Sequence, residues 1–131
     1  MAAAPDRFEL ARASFDKALA RLREVLVLED TPIHRDALIQ RFEFTYELGW
    51  RAMLYWLQRE GEPVREMARA VIQKAFQAGL ITDPDLWERI KDCRNATSHT
   101  YGEAKAVQVA AFVRDRAIGA FDELARRLGA P

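Results

Sequence analysis

A single cysteine, Cys93, and two histidines, His34 and His99, are all that the 131-residue chain holds of the strongest metal-binding and redox-active side chains. One cysteine cannot close an internal disulfide or build a metal cluster, which fits a reducing compartment and a cytoplasmic protein. Long apolar runs are missing too: none approaches the roughly 20 residues a membrane span needs. The opening residues, Met1 to Asp6, have neither a basic region nor a long apolar one. They read as a frayed terminus, with residues 1–5 disordered, rather than as a signal peptide. Nor is there a charge excess, since 20 basic residues balance 20 acidic ones. Sequence-independent binding of nucleic acid rests on neutralising phosphates and normally needs a basic surplus. Any RNA contact is therefore expected to be local or shared with a partner, and a near-neutral surface favours association.

Glycine and proline are sparse, at six and five residues, and they cut the chain into helices. The length suits one domain spanning residues 1–131 with a single core. Phe8, Ala11, Phe15, Ala18, Leu19, Leu22, Val25 and Leu26 recur at three- and four-residue steps, predicting a helix from about Asp6 to Leu28. Thr31-Pro32 suits an N-cap followed by a first helical position. The second helix, about Pro32 to Glu60, buries Leu38, Phe42, Tyr46, Gly49, Trp50, Met53, Trp56 and Leu57. It also carries a second stripe of Phe44, Leu48 and Tyr55, so it is central to a bundle or lies at an interface. Gly49 costs about 1 kcal/mol inside a helix, which close approach of a neighbouring helix would explain. A third helix is expected over about Val64 to Gln77, with Gly79 as C-cap, and a fourth from Asp83-Pro84 through to Gly102. The last is expected over about Glu103 to Leu128. No segment alternates like a strand. The fold class is all-α, an up-and-down bundle of about five helices. His34 is expected to be exposed, and Trp87 to be packing, with a dimer contact as one place for it.

One stretch differs from bundle material: Arg94-Asn95-Ala96-Thr97-Ser98-His99-Thr100-Tyr101. At about 100° per residue, Leu86, Ile90, Cys93 and Thr97 share the buried face, and Cys93 reads as a small core residue. Arg94 sits at the edge of that face, while Asn95 and His99 fall on the far side. On an unbroken helix Arg94 and His99 are roughly 140° apart. Three arrangements stay open: the helix ends or tightens near Ala96, the residues are scattered surface groups, or a second chain covers the far face. In the last case two copies of the motif meet across a two-fold axis. The chemistry such residues support is specific. An imidazole can take the proton of a ribose 2′-hydroxyl, and a guanidinium can fork onto phosphate oxygens. With no acidic cluster in the stretch, cleavage would be metal-independent and leave a 2′,3′-cyclic phosphate and a 5′-hydroxyl.

The octapeptide resembles the R-N-x-x-x-H-x-Y motif of the HEPN superfamily, and more narrowly the bacterial nucleotidyltransferase substrate-binding proteins. Gln40-Arg41-Phe42-Glu43-Phe44-Thr45-Tyr46-Glu47-Leu48-Gly49-Trp50 and Ala75-Phe76-Gln77-Ala78-Gly79-Leu80-Ile81 match as well, so the likeness covers nearly the whole chain. It implies a homodimeric HEPN helical bundle with a four-helix core, paired with a separately encoded minimal nucleotidyltransferase, often as a toxin–antitoxin module. By matching position, Arg94 would hold phosphate, His99 would act as base and Asn95 would orient the site. Ser98 would touch substrate, and Tyr101 would accept AMP from the partner. ATP would be the partner's cofactor, with none held by this chain. Other members are described as substrate- or nucleotide-binding subunits without nuclease activity.

Overall fold

The computed structural model describes residues 6–129, all helix and connecting turns with no strand among them. The expectation for residues 1–5 lies outside the described residues. Helix α1 spans Arg7–Leu26, with Asp6 as N-cap accepting from the Glu9 amide. Helix α2 spans Pro32–Arg59, capped by Thr31 with Pro32 in its first turn, as the sequence anticipated. Helix α3 is Ala68–Gln77 and α4 is Pro84–Thr97, the latter capped by Asp83. Helix α5, Glu103–Phe112, runs through a π-helical turn, Val113–Ala117, into α6, Ile118–Leu128.

Two boundaries differ from the periodicity. Helix α3 starts at Ala68 rather than Val64, with Met67 before it in an extended conformation. Met67, its N-cap, and Phe76, near its end, are both exposed. The second difference is the end of α4, discussed with the site. Gly61 and Gly79 both take positive φ, near 80°, just past α2 and α3. That lets the Glu62 and Leu80 amides turn back onto the Leu57 and Ala75 carbonyls.

Helix α2 is the central element, packed against α1, α3, α4, α5 and α6. Of its predicted buried arc, only Trp56 is not fully buried. The glycine argument holds: a Cβ on Gly49 would lie 3.1 Å from the Phe15 ring and 3.5 Å from Leu124. Helices α1, α2 and α6 meet closely there, and a side chain at 49 would need the Phe15 ring to give by a few tenths of an ångström. Phe121 of α6 sits at the middle of the core. Its ring centroid lies 6.3 Å from Phe15, 6.1 Å from Phe42 and 5.6 Å from Trp87, the first and last edge-on. These rings come from α1, α2 and α4, so one residue joins four helices. Trp87 is only 1% exposed, which makes it packing within the protomer and leaves it no dimer contact to make. His34 is half-buried rather than exposed, its Nδ1 2.5 Å from the Glu29 carbonyl. No helix among the described residues is long and apolar enough to cross a membrane.

Candidate functional site

The motif lies where α4 stops. Thr97 is its last residue, and the expected continuation to Gly102 does not occur. Local side chains compete for the backbone there. The Ser98 hydroxyl donates to the Asn95 carbonyl at 2.7 Å, and the Ser98 amide bonds the same oxygen at 3.3 Å. The Thr97 hydroxyl reaches the Arg94 carbonyl at 3.0 Å. Bonds reaching back three residues tighten a last turn and favour stopping it. Of the three arrangements left open by the spacing, the helix ends.

Arg94 therefore sits on the final turn of α4, while His99 and Tyr101 ride on the link to α5. His99 is exposed, as are Asn95 and Ser98, and the Ser98 hydroxyl is used in ending the helix. Tyr101 is half-buried against the core, and its phenol is pushed up by burial and by the negative charges of Asp36 and Glu43. Arg94 is three-quarters buried. Its Nη1 lies 3.5 Å from a Glu43 carboxylate oxygen, and its Nε 3.5 Å from Glu47. The Thr97 hydroxyl, whose one proton is shared with the Arg94 carbonyl, also lies 2.9 Å from that same Glu43 oxygen.

Glu43 and Glu47 were missed. The octapeptide has no acidic cluster, but α2 supplies one from outside it. The signal was present: two glutamates four residues apart on a helix share one face, inside a stretch that already matched the family.

Tyr46, one residue before Glu47, is buried, and its hydroxyl has no hydrogen-bond partner among the described residues. Its phenol is pushed well above the usual range, first by burial, then by Glu47, Glu88 and Asp92, with Arg94 opposing. A phenol raised in the folded state favours folding at lower pH. That advantage is whole below the ordinary tyrosine range near pH 10 and is lost above it, as the unfolded chain ionises first. Tyr46→Phe is expected to move the alkaline unfolding midpoint upward, read by far-UV circular dichroism from about pH 9 to about pH 12. An unmoved midpoint would show that Tyr46 does not control it.

Cys93 packs against the core but is not enclosed by it. It is half-buried at a crevice of about 330 Å³ between α4 and α5, beside Lys105, Arg89 and Phe112, and burial raises its thiol. A larger groove, about 620 Å³, runs between α1 and α2 past Leu10, Lys17, Arg21 and Phe44. Neither is lined by Arg94, His99 or Tyr101. No cluster of three or more His, Cys, Asp or Glu suited to a metal ion occurs among the described residues.

Known proteins share this architecture. A crystal structure from Thermus thermophilus superimposes with a TM-score of 0.80 at 36% identity, covering 88% of this chain and 99% of that one. A chain of the toxin–antitoxin pair MntA–HpeT, solved as a tyrosine-to-alanine mutant, gives 0.75 at 14% identity, covering 96% and 100%, a likeness of fold alone. These make the chain one of a recurring class of all-helical bundles. Residues 8–130 match the model of the "nucleotidyltransferase substrate binding protein like" family, and the chain belongs to that family. A protein described as probable ribonuclease HepT, from Haemophilus influenzae, is 36% identical over 93 residues. The match takes in 68% of this chain and 62% of that protein's length.

Proposed function

We propose that the chain is the HEPN-type subunit of a toxin–antitoxin-like module, a metal-independent ribonuclease whose partner nucleotidyltransferase modifies it at Tyr101. The observation that carries the reading is local: Arg94, His99 and Tyr101 lie within eight residues at the end of α4, with His99 exposed and Arg94 braced. Family membership and the relative described as a probable ribonuclease support it. In this reading His99 takes the 2′-hydroxyl proton. The 2′-oxygen then forms a bond to phosphorus, the bond to the 5′-oxygen breaks, and Arg94 balances the charge gathering on the phosphoryl oxygens. The departing 5′-oxygen needs a proton. The motif offers one imidazole, so a second copy's His99 across a two-fold axis supplies it, and the working form is a homodimer. Silencing would follow when the Tyr101 phenol attacks the α-phosphorus of the partner's ATP and pyrophosphate leaves.

A second reading is a non-catalytic subunit that binds nucleotide or substrate for the nucleotidyltransferase. The zero net charge and the two glutamates beside Arg94 favour it, since both work against a polyanion. Expression without the partner separates the two. Wild type is expected to arrest growth and cut RNA in the presence of a chelator, and His99→Ala to do neither. If both are harmless and neither cuts, the nuclease reading fails. Incubation with the partner and ATP then asks whether adenylate mass appears on Tyr101, as the subunit reading equally allows.

A further inference from the structure

Glu43 touches two parts of the motif at once. One carboxylate oxygen, Oε2, accepts the buried Thr97 hydroxyl at 2.9 Å and pairs with Arg94 Nη1 at 3.5 Å. Glu47, one turn on, lies within ion-pair range of Arg94 Nε, a buried atom with no hydrogen-bond partner among the described residues. The two carboxylates thus flank two of the three guanidinium nitrogens from the α2 side, at ion-pair distance rather than in hydrogen bonds. We propose that Glu43 is a positioning residue for Arg94 and for the end of α4, with Glu47 as a second brace. This rests on the cleavage reading above.

The physical argument has two opposing parts. A long arginine side chain loses substantial rotamer freedom when it is fixed. If α2 fixes it in advance, the loss is not charged to the reaction, and the guanidinium stands ready where phosphoryl charge develops. The Thr97 contact adds to this by tying the last residue of α4 to α2, next to the link that carries His99 and Tyr101. Charge works the other way. Two carboxylates against one guanidinium leave a net negative patch that opposes an incoming phosphate. Positioning and binding should therefore respond to Glu43 in opposite directions, which a merely structural role would not produce.

The experiment uses full-length wild type, Glu43→Gln, Glu43→Asp and Glu47→Gln, with thermal melts to establish that each folds. Cleavage of a fluorescent RNA oligonucleotide gives kcat and KM, and the Arg94 Nε–H resonance gives exchange with water. For Glu43→Gln, kcat is expected to fall at least about tenfold while KM stays level or drops. Glu43→Asp keeps the charge but withdraws the oxygen, and should fall in between. Both Gln variants should speed exchange of the Nε proton. An unchanged kcat, or kcat and KM worsening together, overturns the proposal. If the wild type itself cuts nothing, the cleavage reading has failed, and the Nε resonance still decides: exchange as slow in both Gln variants as in wild type overturns the brace. Should Glu43→Gln not fold, Glu47→Gln carries the same test through Arg94 alone.

Discussion

Phe121→Ala is expected to destabilise the protein by about 3–5 kcal/mol, the range for emptying a fully enclosed aromatic site. Phe121 is wholly buried and its ring meets rings from three other helices. The hole would face Phe15, Phe42 and Trp87, all large and held by their own helices, so little collapse can refill it. For a chain of this length the loss corresponds to a fall in Tm on the order of 10–20 °C. Phe44→Ala provides the contrast, because Phe44 is 56% exposed. Its removal should shift stability by less than about 0.5 kcal/mol. Urea melts of both variants check the claim. Equal losses would show that Phe121 is not the keystone its contacts suggest.

Arg94→Ala is expected to lower RNA cleavage by about 10²–10³-fold, the usual cost of removing one donor aimed at developing charge. Arg94→Lys should fall almost as far, since an ammonium cannot fork onto a phosphate while also meeting two carboxylates. Stability should suffer as well. Without the guanidinium, Glu43 and Glu47 face each other half-buried and lose their shared cation. That loss is about 1–3 kcal/mol. Adding Glu43→Gln to Arg94→Ala should return part of it but none of the cleavage. Strict additivity of the two changes in a denaturant series would mean that the ion pair has no energetic content.

The bundle was legible because its helices announce themselves. Thr31-Pro32 and Asp83-Pro84 start helices where expected, Gly79 ends one, and the buried arc of α2 follows the 3.6-residue period almost residue for residue. The site was legible only in part. Arg94, Asn95, Ser98, His99 and Tyr101 are visible as a cluster of chemistry in one stretch. Their arrangement was not, because ideal helical angles hold only while the helix lasts. Ser98 and Thr97 end it through bonds to carbonyls three residues back, and a serine or threonine inside a pattern does not declare which bond it will make. Glu43 and Glu47 were hidden differently: each looks like an ordinary surface glutamate until α4 packs across α2. Cys93 sits on the predicted buried stripe, but at its margin, where the crevice to α5 opens.

Helices α1 and α2 are neighbours in sequence and lie along one another, with Gly49 and Phe15 in close approach. Contacts of that kind close over short loops and form quickly. The Thr97–Glu43 bond spans 54 residues, and α4 must dock on α2 before it can exist. The hairpin can form from contacts near in sequence, whereas the end of α4 is held by a contact that needs the intervening chain in place. Losing its ties would change how fast the protein unfolds more than how fast it folds. The link that carries His99 and Tyr101 is fastened to the bundle by a contact distant in sequence, and its place depends on how α4 lies across α2.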